Sequence, residues 1–481
     1  MIEIVDVVRG RYFDSVRLMQ VSRAIGDMTG VEAALVAMAT DLNLELLSDM
    51  GFAAGRPDAT TPDDLLVALR ADGRQEAESA RAAVDRLLAT PADRTSGAIF
   101  SPPARRTVES AARSIGANLA VISVPGPYAF VEAMAALEAG LNVMVFSDNV
   151  SVEHERLLKA EAAERRLLVM GPDCGTAIVN GLGLGFSNVV EPGPVAIAGA
   201  SGTGIQQVCC LLDAAGVGVR HALGTGSRDL SAAIGGRSTL DALAALDADP
   251  EVSVIVLVSK PTDSGVSEAV EAAIAACRTP VVSALLGTAG VTLESAARHA
   301  IEILSRPWPE LPVWRPDMAP SGRAGALRGL FSGGTLRAEA YAIARAGLGP
   351  IGTEPGSSGH WLCDFGDDRY TRGRPHPMID PTIRLEVLAS VIGEPETGVV
   401  LFDLVLGHGA HPDPASGVVP LVEAGRRSGI TFVASLCGSR SDPQGRDDQA
   451  RRLTEAGAEV FVSNAAAARR AVHLTQEVGG A

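Results

Sequence analysis

Pro194–Gly218 reads PVAIAGASGTGIQQVCCLLDAAGVG, and Ala326–Gly349 reads ALRGLFSGGTLRAEAYAIARAGLG. Each is an apolar run, a Ser/Gly/Thr turn and a stretch with apolar residues at helical spacing. That pattern predicts strand, tight turn and helix. The sequel repeats too: HALGTGSRD (221–229) and HWLCDFGDD (360–368) are apolar strands running into Gly and Asp. VSVIVLVSKP and TPVVSALLG give later strands of the first copy, with helices ALAALDAD and EAVEAAIAACR between them. GVVLFDLVLG, ITFVASLCG and AEVFVSN do the same in the second. A repeated strand–helix unit predicts two tandem flavodoxin-like domains, 193–304 and 324–481, with two related sites or one site between them. The Pro/Arg/Trp-rich stretch 305–323, SRPWPELPVWRPDMAPSGR, has no period and reads as a linker.

Upstream, NLAVISVP, LNVMVFSD and RLLVMGPD are apolar strands separated by the amphipathic stretches YAFVEAMAALEAG and VEHERLLKAEAAERR. Residues 98–192 therefore read as a Rossmann-like domain with a parallel sheet, whose ligands belong beyond the strand ends. Those ends carry Pro125, Asp148 and GPDCGT (171–176). Residues 1–97 read as a small α+β sandwich, ferredoxin-like or ACT-like: strands IEIVDVVRG, VEAALVAMA and DDLLVALRADG, and helices FDSVRLMQVSRAI and EAESARAAVDRLLA. The fold class is α/β throughout the rest of the chain.

The composition narrows the function. Of 481 residues 47% are apolar and 20% charged, a globular balance. Forty-one basic against fifty-seven acidic residues leave a net charge of −16, which argues against nucleic acid as a partner. No apolar run approaches the roughly 20 residues a membrane helix needs, and the N-terminus lacks a signal pattern, so a cytoplasmic protein is expected. The six cysteines form no CxxC pair and are expected to be buried thiols, with no metal site.

Four segments carry groups suited to chemistry. Ser201-Gly202-Thr203-Gly204 and Ser332-Gly333-Gly334-Thr335 each sit where a strand turns into a helix. There, backbone N–H groups and the helix dipole favour an anion; the plainer alternative is a turn capping its helix. Lys260, one of only two lysines, ends a parallel strand and is placed to meet an anionic ligand. The densest polar segment, 364–381, holds Arg372 and Arg374 for bidentate anion contacts and His376 to move protons. Asp380 there either orients His376 or caps the next helix. Arg228 and Asp229 occupy the first copy's equivalent place and either contact ligand or cap a helix. His408 and His411 in GHGAH read as loop histidines, and Cys174 as part of a small-residue turn.

GPDCGT, the ASGTG–helix–GTGSRDL run, LVSKP, LFSGGTLRAEA and above all GDDRYTRGRPHPMIDPTIR resemble the FdrA family, relatives of succinyl-CoA synthetase. The resemblance spans nearly the whole chain, including RYFDSVRLMQVSRAI at the start. It implies a CoA-binding-type Rossmann domain followed by two ligase-type flavodoxin-like domains. Where synthetase α-subunits carry a phosphorylated histidine loop, this chain reads LLGTAGVTLESAARHA, which argues against a phosphohistidine relay. The chain also shows no ATP-grasp domain.

The resemblance further implies a subunit of oxamate carbamoyltransferase, which turns oxalurate and phosphate into oxamate and carbamoyl phosphate in allantoin and purine breakdown. Both substrates are small anions, for which the two turns, Lys260, Arg372 and Arg374 are suited, with His376 exchanging a proton with the leaving nitrogen. No cofactor is needed. Companion subunits, in a homo-oligomer or hetero-complex, are expected. Two alternatives stand beside it: an acyl-CoA synthetase-like enzyme that binds CoA, and a scaffold that holds partner enzymes.

Overall fold

The computed structural model describes residues 1–13, 15–52, 60–89, 107–259, 263–287, 290–317, 322–371 and 374–479. Lys260 and Arg372, two of the expected ligand contacts, lie outside the described residues. Two compact units are present: Met1–Arg106 with Thr371–Pro375, and Thr107–Tyr370 with His376–Ala481.

In the first unit, β1 (Ile2–Val8), β2 (Val31–Met38) and β3 (Leu65–Ala71) form an antiparallel sheet in the order β1-β3-β2. Alternation along the central strand β3 fixes what covers each face. Leu65, Val67 and Leu69 enter the core under α1 (Ser15–Gly26) and α3 (Arg74–Ala89). Leu66 and Ala68 face the other way, toward α2 (Asp41–Asp49) and Phe52.

The second unit begins with α4 (Val108–Ile115), β4 (Leu119–Ile122), α5 (Gly126–Glu138), β5 (Asn142–Val145), α6 (Val152–Arg165) and β6 (Val169–Met170). Its strands pair in parallel, in the order β4-β5-β6. A hairpin follows, β7 (Thr176–Val179) and β8 (Leu182–Gly185), turning through Asn180 (φ 52°) and Gly181 (φ 78°).

The first repeat contains β9 (Val195–Gly199), α7 (Gly202–Ala214), β10 (Val219–Gly224), α8 (Arg237–Ala248), β11 (Val254–Ser259), α9 (Ser264–Ala276), β12 (Val281–Leu285) and α10 (Leu293–Ile303). After a two-residue strand β13 (Val313–Trp314), the second repeat runs β14 (Ala326–Phe331), α11 (Gly334–Leu348), β15 (Trp361–Asp364), α12 (Asp368–Thr371), α13 (Thr382–Gly393), β16 (Thr397–Val405), α14 (Pro414–Arg427), β17 (Thr431–Cys437), α15 (Arg446–Ala456), β18 (Ala458–Phe461) and α16 (Asn464–Gly479).

The two sheets are β12-β11-β9-β10-β7-β8 and β13-β18-β17-β16-β14-β15. Counted within each copy, both follow the order 4-3-1-2, and β18 completes the flavodoxin-like order 2-1-3-4-5 in the second. All nine residues of β16 are buried, as a parallel strand covered on both faces requires. Phe402 and Leu404 face the apolar core shared with Leu388 of α13 and Val418 of α14, which turns Asp403 to the opposite face. The stretch expected to be an aperiodic linker is not wholly so: β13 within it pairs antiparallel with β18.

Candidate functional site

The two Ser/Gly/Thr turns lie against each other. Ser201 caps α7, its hydroxyl accepting from the Gly204 N–H at 3.1 Å, and the same hydroxyl is hydrogen-bonded to that of Thr335. A methyl group on Gly333 would lie 2.9–3.0 Å from the Thr203 side chain, and one on Gly204 would be 3.0 Å from Thr335. Both helices therefore begin at one place, and the glycines are there because the turns touch. Gly334 stays partly exposed beside them. On the other side of Gly202 lies Thr176, whose hydroxyl would be 3.1 Å from an added methyl group.

The turns are not equivalent. In the second, Asp403 fills the anion's place: its carboxylate accepts from the Ser332 N–H at 2.8 Å, the Ser332 hydroxyl at 2.7 Å and the Gly333 N–H at 2.8 Å. Arg384, buried on α13, neutralises it at 2.7 Å and also donates to the Ser332 hydroxyl at 3.0 Å. Ser332 and Gly333, expected to bind substrate anion, are thus taken up by an internal carboxylate. In the first turn no side-chain carboxylate bond is present among the described residues, and Ser201 and Gly202 remain partly exposed.

His376 sits beside this pair. A methyl group on Gly366 would fall 2.7 Å from its Nε2 and 2.6 Å from the Ser332 carbonyl oxygen, so imidazole and turn crowd the same glycine. Its ring tilts against Phe186 at 6.0 Å, and Phe186 against Phe146 at 5.6 Å. Phe186 is tied back to the 171–176 segment by its N–H, which donates to the Gly175 carbonyl at 2.7 Å. Burial, aided by the Arg384 charge, pushes the imidazole down to about 4. The Met378 N–H donates to Nδ1 at 3.2 Å, which leaves the proton of the neutral ring on Nε2. His376 is therefore a neutral hydrogen-bond donor near pH 7. The proton exchange expected of it is corrected to donation of a hydrogen bond, because the imidazolium form is suppressed.

The structure revises three further expectations. Asp380 accepts from the Thr382 N–H at 3.1 Å and hydroxyl at 2.5 Å and so holds the first residue of α13. Asp229 is fully buried and takes Lys159 at 2.7 Å, the Thr239 hydroxyl at 2.6 Å and the Thr239 N–H at 2.9 Å. Arg228 holds Glu155 at 2.9 Å and the Val150 carbonyl at 2.7 Å. These two belong to a Glu155–Lys159–Asp229 network of buried charges. Arg374 is exposed and belongs to the first unit.

Three strand-end loops add carboxylates. Asp173, exposed at the surface, lies near Asp148 and Asp368; desolvation, opposed by a Ser227 hydrogen bond, raises it to about 6. Burial also raises Asp148. Cys174 has its thiol pushed up to about 12 by burial, as suits a turn residue.

Sequence reasoning missed Arg384, Asp403 and Lys159, which are buried charged residues. Burial of a charge inside an apolar-looking segment leaves one signal, the lone Asp in VVLFDLVL, and it was read only as strand.

Comparison with known proteins finds three family models along the chain: "AllF, heavy metal-associated domain" at 1–101, "CoA binding domain" at 190–283 and "CoA-ligase" at 330–474. The CoA-binding match thus falls on the first repeat. YahF of Escherichia coli (strain K12) is 37% identical, with 93% of each chain aligned. The malate–CoA ligase α-subunit of Methylorubrum extorquens is 28% identical over 33% of this chain and 55% of its own. The succinate–CoA ligase [ADP-forming] α-subunit 2 of Archaeoglobus fulgidus is 30% identical over 34% and 56%. For these ligases the match spans little more than half their length. Among solved structures, the dinucleotide-forming acetyl-coenzyme A synthetase 1 of Ca. Korarchaeum cryptofilum aligns over 81% of this chain and 88% of its own, at 15% identity and a TM-score of 0.33. Among the described residues, no helix is long and apolar enough to cross a membrane.

Proposed function

The chain belongs to the FdrA family of succinyl-CoA synthetase-like proteins, and from that premise we propose that it is a subunit of a phosphate-dependent carbamoyltransferase acting on oxalurate. The unequal pair of turns carries the proposal. One is filled by Asp403, the other offers a helix start with Ser201 and Gly202 partly exposed, and a neutral histidine stands beside them.

Phosphate is held at the start of α7, where the helix dipole and backbone N–H groups favour its charge. One phosphate oxygen attacks the ureido carbonyl of oxalurate; an O–C bond forms and the C–N bond to the oxamate nitrogen breaks. The proton of monohydrogen phosphate passes to that nitrogen, so atoms and charge balance without a protonated side chain. His376 donates its Nε2–H to the oxyanion that develops on the carbonyl. Lys260, next in sequence after Ser259, is proposed to add positive charge for the anions.

A coupled assay tests this: the chain with its companion subunits, oxalurate, phosphate, ADP and carbamate kinase. ATP is expected only when oxalurate and phosphate are both present. Folded protein and active companions that yield none overturn the proposal. The CoA-binding and CoA-ligase matches favour a second reading, acyl-CoA chemistry. CoA binding by calorimetry together with CoA-dependent turnover selects it.

A further inference from the structure

The first unit matches a domain described as heavy metal-associated, yet its residues do not fit such an ion. Soft ions such as Cu⁺ and Cd²⁺ are held by thiolate, imidazole or clustered thioether groups. Residues 1–101 contain neither Cys nor His. Five methionines remain, and the fold scatters them. Met38 is buried in the core under α1 and α3, whereas Met50 packs on the opposite face of the sheet, beside α2. Met28 packs against the first of these cores, and Met1 is exposed.

The carboxylates are also engaged. Glu3 pairs with Arg70 at 2.7 Å and Asp6 with Arg81 at 2.8 Å. Asp64 accepts from the N–H groups of Gly10 and Thr61, both at 2.9 Å, and these bonds hold it below its ordinary value. Where β1 leads toward α1 the chain exposes Arg9 and Arg11, with Arg11 and Arg17 both set over the Phe13 ring at 5.4 Å. That end of the unit repels cations. Among the described residues no group of three His, Cys, Asp or Glu is placed to hold a metal ion.

We infer that the first unit keeps the scaffold of a heavy metal-associated domain but carries no metal, with Glu3 and Asp6 serving arginines and Asp64 serving backbone N–H groups instead. The inference is independent of the carbamoyltransferase reading.

Equilibrium dialysis of the full chain against Cu⁺ under reductant, and separately against Cd²⁺, with elemental analysis of the protein, tests it. The expected result is no stoichiometric metal. If metal binds, a Met19→Leu/Met28→Leu/Met38→Leu/Met50→Leu variant locates it, each change also being made singly because leucine conserves the volume. Binding that persists in a first unit left with no Cys, His or internal Met places the ion on soft donors outside it, such as Cys277, and the inference stands. Binding lost from a folded variant overturns it.

Discussion

His376 takes its properties from Gly366, Met378 and Arg384. Gly366 gives the imidazole room beside the Ser332 carbonyl, the Met378 N–H fixes the tautomer, and the Arg384 charge adds to burial in keeping the ring neutral. If His376 donates to an oxyanion, His376→Ala lowers kcat by roughly 10²–10³-fold, the cost of one oxyanion donor. Gly366→Ala does nearly as much, because its methyl group would lie 2.7 Å from Nε2 and 2.6 Å from the Ser332 carbonyl oxygen and so displaces both. Steady-state kinetics of both variants, with circular dichroism as a control, check this. The pH behaviour follows from the sign of the shift. His376 lies at about 4 when folded, below its ordinary 6.5, so its contribution to stability is present above pH 6.5 and fades as pH falls toward 4. Thermal melts at pH 7.5 and 4.5 are expected to show a smaller acid loss in His376→Gln than in the parent chain. The histidine itself was legible in GRPHPMIDP. Its neutrality was not, because Arg384 and the Asp403 that Arg384 neutralises are fixed by packing that no local pattern encodes.

At the scale of elements, the duplicated strand–turn–helix was legible because each copy keeps its apolar runs and glycines at matching positions. What the copies do to each other was not. Asp403 reaches Ser332 across 71 residues of chain and Arg384 reaches Asp403 across 19, so no local pattern shows that one turn is filled. The hairpin β7–β8 was overlooked although Asn180-Gly181 between alternating runs is a strong turn signal. Gly333→Ala tests the contact between the turns. Its methyl group meets Thr203 at 2.9–3.0 Å, so α7 and α11 are forced apart at their starts. Loss of activity with only a small drop in Tm is expected; unchanged activity contradicts a role for the meeting of the turns.

At the scale of the molecule, charges buried between segments distant in sequence tie the second unit together. Lys159 of α6 bonds Asp229 across 70 residues, with Glu155 at 2.8 Å on its own helix. Lys159→Met leaves the buried Asp229 without its cation, while Glu155 keeps Arg228, and costs about 3–5 kcal/mol, read by urea unfolding. Glu339, which accepts from the Leu293 N–H at 2.6 Å and the Asn464 amide at 2.7 Å, is a different matter. Burial raises this carboxyl from its ordinary 4.5 to about 7, so its contribution to stability is full below pH 4.5 and is lost as pH rises toward 7, and Glu339→Gln flattens the dependence over that interval. The place of Arg374 in the first unit depends on long-range contacts that no local pattern encodes.

Phosphorus NMR of the chain with its companion subunits, oxalurate and phosphate bears most directly on the central claim. A carbamoyl phosphate resonance growing as the phosphate signal falls, and absent from the His376→Ala complex, is the predicted result. An unchanged phosphate signal from folded, assembled protein, or turnover that starts only when CoA is added, contradicts it.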